Sequence, residues 1–520
     1  MQFELTHALH RMLQQKPHSP AVIFRDRQRT WSELADRVAR LAGALQSLGM
    51  SAGDRVGMLS LNSDYYLEYM LGVWWAGGAL NPVNTRWSPA EVAYSLDDCD
   101  TRILLVDDSV ATWGDDLRER SKVLTTLIYV GDGKAPEGML HYETLLKEAA
   151  PAPDARRGGE DLAGVFYTGG TTGFPKGVML SHVNLLSNAL GYLMDLDYRE
   201  DEVVLGVAPI FHQAGMCIIV RAFLRGCPTV VVEGFEPLAV MQAIERHRAT
   251  FTLLVPTMIQ RLVDHPELKN HDLSSLRRIL YGASPISESV LGRAFDALAG
   301  VEFCQGYGMT ETGGPYTFLP PWCHTPAGQK AGMLRSAGRA MWGIEVRIVD
   351  EDGHPVAPGV VGEIAARGPG VMQGYWGREE ETRASLRDGW MHSGDAGYLN
   401  EDGFLFIVDR VKDMIVSGGE NVYSSEVENA LCRHPAVQTC AVIGIPNERW
   451  GEAVHAVVVL QPEQSATAEE LREFCKTLIA GYKCPVSAEF RDALPVSGAG
   501  KVLKHVLREP YWAGHSRYIA

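Results

Sequence analysis

Between about Arg55 and Gly308 the chain alternates short, β-branched apolar runs with amphipathic stretches of helix length. The runs include RVGMLSL, RILLVDD, VVLGVAPI, PTVVVEG, TFTLLVP and RRILYGA; between them lie stretches such as PLAVMQAIERHRA and SESVLGRAFDAL. A strand that is apolar along its whole length has to be covered on both faces, and parallel strands need a crossover long enough to hold a helix. The pattern therefore predicts an α/β fold with parallel sheets between layers of helix. Ligands in such folds sit at loops beyond the strand C-termini. The loop after Tyr167 and the segments APIFHQAG, LYGASP and QGYGMTETGG fall there.

From about Gly338 the texture changes. IEVRIVDEDGHPV and GYLNEDGFLFIVDR read as β-hairpins turning at Asp-Gly. After Arg410 a smaller α+β pattern runs to about Arg508. The expected organisation is a large N-terminal domain over residues 1–409, β-rich from about 338 to 409, and a small C-terminal domain over 410–520. The boundary is placed between Asp409 and Lys412. A chain of 520 residues that is 46% hydrophobic has ample material for such cores.

The formal net charge is −16, and the chain as a whole offers no basic face for nucleic acid. Nine cysteines without a CxxC pair read as free thiols in a reducing compartment. The N-terminal MQFELTHALHRMLQQ has no signal-peptide core, and YMLGVWWAGGAL is shorter than the roughly 20 residues a membrane span needs. SRYIA at the C-terminus matches no lipidation signal. The expectation is a cytoplasmic protein without a transmembrane segment, compatible with peripheral membrane contact and with a homodimer.

The stretch YTGGTTGFPKGVML, Tyr167 to Leu180, concentrates glycine, threonine and one lysine ahead of apolar sequence. Glycine lets the backbone approach an anion, and successive N–H groups cradle phosphate oxygens. Thr168, Thr171 and Thr172 add hydroxyls, and Lys176 adds a charge. The loop is not a Walker A motif, because Lys176 is followed by Gly177 and GK[ST] occurs nowhere in the chain. Taken alone, the same composition also fits a mobile surface loop.

Four other segments bear on the choice. They are YGMTE (Tyr307–Glu311), SGD (Ser393–Asp395), DRVKDMIVSGGENVYSSEVE (Asp409–Glu428) and PVSGAGKV (Pro495–Val502). With the glycine-threonine loop, they resemble in order the motifs of the adenylate-forming superfamily, which includes acyl-CoA synthetases, peptide-synthetase adenylation domains and luciferases. The resemblance covers nearly the whole chain. It implies αβαβα-layered sheets, a mobile C-terminal lid, and two half-reactions. Mg-ATP and a carboxylic acid give an acyl-adenylate and pyrophosphate; the thiol of coenzyme A then displaces AMP.

The resemblance also implies roles. Thr168, Gly170, Thr171, Thr172, Gly173 and Lys176 would hold the β/γ-phosphates. Gly169 stands where serine is usual, which removes one hydroxyl. Glu311 would bind Mg²⁺ and Thr310 the α-phosphate; Gly282, Ala283 and Ser284 would pack on adenine, with Gln305, Gly306 and Tyr307 between adenine and the acyl group. Asp395 would accept both ribose hydroxyls, supported by Arg410. Lys501 would neutralise charge during adenylation, Lys412 would be the hinge, and Gly418 and Gly419 would leave room for the pantetheine arm. His212, Gln213 and Met216 would line an acyl pocket. His212 replaces the aspartate usual in amino-acid-activating members, which points to an uncharged fatty or aryl acid. Residue by residue, plainer readings stand beside these: a helix cap for Glu311, a turn residue for Asp395, a solvated lysine for Lys501, a core histidine for His212 and a hairpin turn for Gly418–Gly419. Loading of a separate carrier-protein thiol is the alternative to CoA.

Overall fold

The computed structural model describes residues 3–168, 175–196, 199–284, 286, 288–410, 413–417, 420–447, 449–496 and 502–513. Among these residues the strands form four sheets. One runs in the order Arg339–Ala340, Gly314–Leu319, Glu302–Met309, Arg278–Gly282, Phe251–Leu254, Val204–Gly206, Thr229–Val231, Pro20–Phe24 and Arg27–Thr30. The second runs Gly374–Tyr375, Lys176–Ser181, Leu162–Thr168, Ala79–Pro82, Arg55–Leu59, Thr101–Val106, Thr126–Tyr129 and Leu140–His141. Each apolar run named above supplies a strand, and these strands pair in parallel.

The expected parallel sheets are present, with antiparallel strands at their margins. Both sheets are mixed, and the antiparallel pairs carry the motif segments. Leu162–Thr168 pairs antiparallel with Lys176–Ser181 across the glycine-threonine loop, and Glu302–Met309 pairs antiparallel with Gly314–Leu319 across the Thr310–Thr312 turn. Connections of so few residues leave no length for a crossover helix, so the second strand has to return beside the first.

Helices fill the space between the two sheets. The helix Asp64–Trp75, which contains most of YMLGVWWAGGAL, is buried at every position and touches strands of both sheets. The longest apolar stretch of the sequence is thus a core helix. No helix among the described residues is long and apolar enough to cross a membrane. The helix His182–Asp195 also lies between the sheets and starts at a capping box, in which Ser181 and Asn184 bond each other's backbone. The helix Gln213–Arg225 packs on it and ends at Gly226 with φ +70.

A third, antiparallel sheet is centred on Gly362–Arg367 and Trp390–Leu399. Of the two expected Asp-Gly hairpins, Trp390–Leu399 with Leu405–Arg410 forms as read. The other turns at Gly353, with φ +82, but its return is a single bridge from Val349 to Pro355. The full partner of Glu345–Val349 is Gly362–Arg367, because Pro355 and Pro358 leave the nearer segment short of ladder donors. The fourth sheet, from Ile415–Ser417 to Ser487–Phe490, encloses the separate core of the C-terminal part.

Two buried histidines bear on stability. His182 Nδ1 accepts from the Leu5 N–H at 3.3 Å, and His324 lies between the Tyr281 hydroxyl at 2.9 Å and the Pro320 carbonyl at 3.2 Å. Burial lowers each from 6.5 to about 4. As pH falls below 6.5 the unfolded chain takes up these protons before the folded one, so stability intact above 6.5 is lost on the way down to pH 4. The loss should be about 2 kcal/mol per histidine by roughly pH 4.5. Thermal unfolding of His182→Asn/His324→Gln should fall less between pH 7 and 4.5 than that of the wild type; an equal fall would refute this account.

Candidate active site

Several of the residues singled out in the sequence come from neighbouring strands of one sheet and the turns that follow them. Glu302–Met309 lies beside Arg278–Gly282, with Tyr281 opposite Gln305 and Gly282 opposite Gly306. A Cβ at Gly282 would collide with the Gly306 carbonyl, so the strands approach closely only without a side chain there. Ala283 follows with φ +65, a left-handed conformation uncommon for alanine and of a kind that gathers at functional sites. Ser284, next to it, is half-buried.

Tyr307 reaches across to the third sheet. Its hydroxyl donates to Asp395 Oδ2 at 2.6 Å. Burial, then the charges of Tyr316 and Asp395, raise the Tyr307 ionisation, so it stays protonated and donates. Asp395 sits inside the strand Trp390–Leu399 rather than in a turn, and its backbone is opposite that of Arg410.

Thr310 and Glu311 form the one-turn helix after Met309. The Oε1 of Glu311 accepts from the Tyr375 hydroxyl at 2.9 Å, and its backbone carbonyl accepts from Met372 N at 2.8 Å. Burial, then the Glu311 charge, keep Tyr375 protonated. The same Tyr375 ring carries the Lys176 ammonium 5.2 Å from its centroid. Thr168 and Lys176 are paired opposite each other at the mouth of the glycine-threonine loop. Lys176, Tyr375 and Glu311 therefore form one continuous cluster, joining two motifs more than a hundred residues apart.

His212 precedes the helix Gln213–Arg225 and is half-buried; its carbonyl accepts from Gly215 N and Met216 N. Gln213 is buried, with Nε2 donating to the Gly313 carbonyl at 2.6 Å. Met216 is fully buried in the core with Leu185, Leu186 and Phe211. Gly170, Thr171, Thr172, Gly173, Lys412, Gly418, Gly419 and Lys501 lie outside the described residues, as does the Arg410 side chain.

Sequence reasoning missed Tyr375. It belongs to a two-residue strand after GVMQG and is brought to Lys176 by pairing with Met179 and Val178. A lone tyrosine between glycine and tryptophan carries no local signal of that contact.

The profile of the AMP-binding enzyme family matches residues 9–376, and that of the AMP-binding enzyme C-terminal domain matches residues 426–501. The chain belongs to the AMP-binding enzyme family. A feruloyl-CoA synthase from Amycolatopsis sp is 40% identical to this AMP-binding enzyme over 96% of the chain and 98% of that protein. A medium/long-chain-fatty-acid–CoA ligase from Mycobacterium tuberculosis is 35% identical over 99% and 91%. Among solved structures, an anthranilate CoA ligase in complex with anthranoyl-AMP superposes with a TM-score of 0.91 at 27% identity, covering 99% of this chain and 98% of that one. This AMP-binding enzyme is an ATP-dependent acid–CoA ligase.

Proposed function

We propose that this ligase activates an uncharged aryl or fatty acid, whose acyl group lies beside Gly306 between the helices His182–Asp195 and Gln213–Arg225. The observation that carries the proposal is the convergence of two tyrosine–carboxylate pairs, Tyr307–Asp395 and Tyr375–Glu311, on the strand end that bears Gly306. Asp395, oriented by Tyr307, suits a vicinal diol and so the ribose. Glu311 is a single carboxylate, so a magnesium ion there would take its remaining oxygens from phosphates and water, as that ion commonly does. Magnesium, when bound, screens phosphate charge. Lys176 and Thr168, paired opposite each other on either side of the glycine-threonine loop, suit the β- and γ-phosphates.

In the first half-reaction an acid oxygen attacks the α-phosphorus and pyrophosphate leaves. Two anions must meet, so a cation has to stand between them; Lys501 takes that role. In the second, the sulfur of coenzyme A attacks the acyl carbon and AMP leaves. Residues 410–520 turn about Lys412 between the two, withdrawing Lys501 and bringing in Gly418 and Gly419. Asp409 supports this reading of the pivot. Its Oδ2 accepts from Ser424 N at 2.5 Å and Ser424 Oγ at 2.7 Å, bonds that join segments on either side of position 412 in sequence. His212, not a carboxylate, heads the Gln213 helix, which favours an acyl group without an ammonium. Nine unpaired cysteines suit a reducing cytoplasm.

The test is pyrophosphate release with Mg-ATP over aryl, fatty and amino acids, with and without coenzyme A, following products by mass. Release with aryl or fatty acids and the matching thioester supports the reading. Amino acids as the preferred class would overturn it.

A further inference from the structure

Three buried carboxamides stand on the two core helices, Asn184 and Asn188 on His182–Asp195 and Gln213 at the start of Gln213–Arg225. Each donates to a backbone carbonyl of a segment next to Glu311 or Tyr375. Gln213 Nε2 reaches the Gly313 carbonyl at 2.6 Å, and Asn188 Nδ2 reaches the Pro315 carbonyl at 2.6 Å. Asn184 Nδ2 reaches the carbonyls of Pro369 and Val371 at 2.8 and 2.9 Å, just ahead of Met372. At Gln213 and Asn188 the amide oxygen has no hydrogen-bond partner among the described residues. Burying an unpaired acceptor costs stability, and methionine or leucine would fill the space without it. What these two amides add is the N–H donor.

The turn that they hold has little to fix it from within. Thr310–Thr312 is a single helical turn closed by Gly313, which has φ +66 and whose N–H reaches the Thr310 carbonyl at 3.0 Å. The other internal bonds are those of the Thr312 hydroxyl. Its placement therefore depends on donors from outside. Met372 N and the Tyr375 hydroxyl supply one side, both on Glu311; Gln213 and Asn188 supply the other, at Gly313 and Pro315. The base from which Gln213 reaches is itself tied. Asn62 is 3% exposed; its Nδ2 donates to the carbonyls of Val207 and Ala208 at 3.2 and 3.1 Å, and its Oδ1 accepts from Ile210 N at 2.8 Å. The segment entering the helix is thus held before the helix starts. A reacting constellation needs such a supporting shell, because a small displacement of a charged group costs much of its effect.

We infer that Gln213 and Asn188 are positioning residues for adenylation, acting through Glu311 by fixing the turn that carries it. The inference rests on Glu311 serving the first half-reaction, as proposed above. Gln213 then serves the nucleotide side of the site through its amide, whichever acid is bound.

The experiment is a double-mutant cycle in the full-length enzyme, with the two half-reactions assayed separately. Gln213→Met keeps the side-chain length and removes the donor. It should lower pyrophosphate release by about 10-fold, and leave thioester formation from supplied acyl-adenylate within about threefold. Combined with Glu311→Gln, it should lower adenylation by no more than about threefold beyond Glu311→Gln alone, because residues that act through one another are not additive. A merely structural role predicts the opposite: equal loss in both half-reactions, or a double variant whose loss is the product of the single losses. Either result overturns the inference and leaves Glu311 in place. A wild-type adenylation rate in Glu311→Gln refutes the reading of Glu311 and the inference with it. Asn188→Leu, taken through the same cycle, reads the other end of the turn and decides the matter should Gln213→Met misfold.

Discussion

Lys501→Ala lowers adenylate formation by about 10²- to 10³-fold, the loss expected when a charge aimed at a developing anionic centre is removed. Thioester formation from supplied acyl-adenylate and coenzyme A changes by no more than about threefold, because the contact is made in one half-reaction and not the other. The residue lies outside the described residues; those on either side of it are described. Val496 and Val502 bridge, and Leu503 N bonds the Pro495 carbonyl at 2.8 Å, so the loop has a closed base. The following helix, Lys504–Trp512, is anchored by Lys504 to Glu428 at 2.7 Å, Arg508 to Asp413 at 2.6 Å and Trp512 Nε1 to the Gly444 carbonyl at 2.9 Å. Lys504 is the nearest lysine in sequence and cannot stand in, since its ammonium is held by Glu428 and Ser424. The solvated-lysine reading makes the opposite forecast. Separate assays of the two half-reactions decide it: equal loss in both, or no loss in the first, refutes the role.

The parts of this site legible in the sequence are those whose chemistry is local. The glycine-threonine loop, YGMTE and SGD stand out because each gathers several candidate residues into one short segment. The parallel strands were legible for a similar reason, since burial on both faces writes itself as an unbroken apolar run. What was not legible is which strands pair and which side chains meet. The pairing of Glu345–Val349 with Gly362–Arg367 depends on prolines that spoil the nearer return, and the antiparallel margins of the large sheets depend on connection length. Tyr375 acquires its meaning only when a short strand brings it to Lys176. In the linear text it is one aromatic residue in an apolar setting, indistinguishable from core.

Glu311→Gln should lower adenylation by about 10²-fold and raise the magnesium concentration for half-maximal rate. The substitution is nearly isosteric, and its amide oxygen can still accept from Tyr375, so the Met309–Gly314 turn keeps its other bonds: Thr312 to the Met309 and Gly314 carbonyls at 2.9 and 2.6 Å, and Met372 N to the 311 carbonyl at 2.8 Å. What is lost is one negative charge at a buried position, 7% exposed. Tyr375→Phe separates charge from orientation, since it removes the 2.9 Å hydrogen bond and leaves the carboxylate charged. Its loss should be smaller, about 10-fold, with less change in magnesium dependence. The contrast with Lys501 is the decisive part. Both variants slow the first half-reaction, but only the loss of a cation-binding carboxylate shifts the magnesium midpoint, while loss of Lys501 lowers the plateau at every magnesium concentration. A Glu311→Gln enzyme with a wild-type midpoint and a lowered plateau would move Glu311 from the metal to the support of Tyr375, and through its ring to the placing of Lys176.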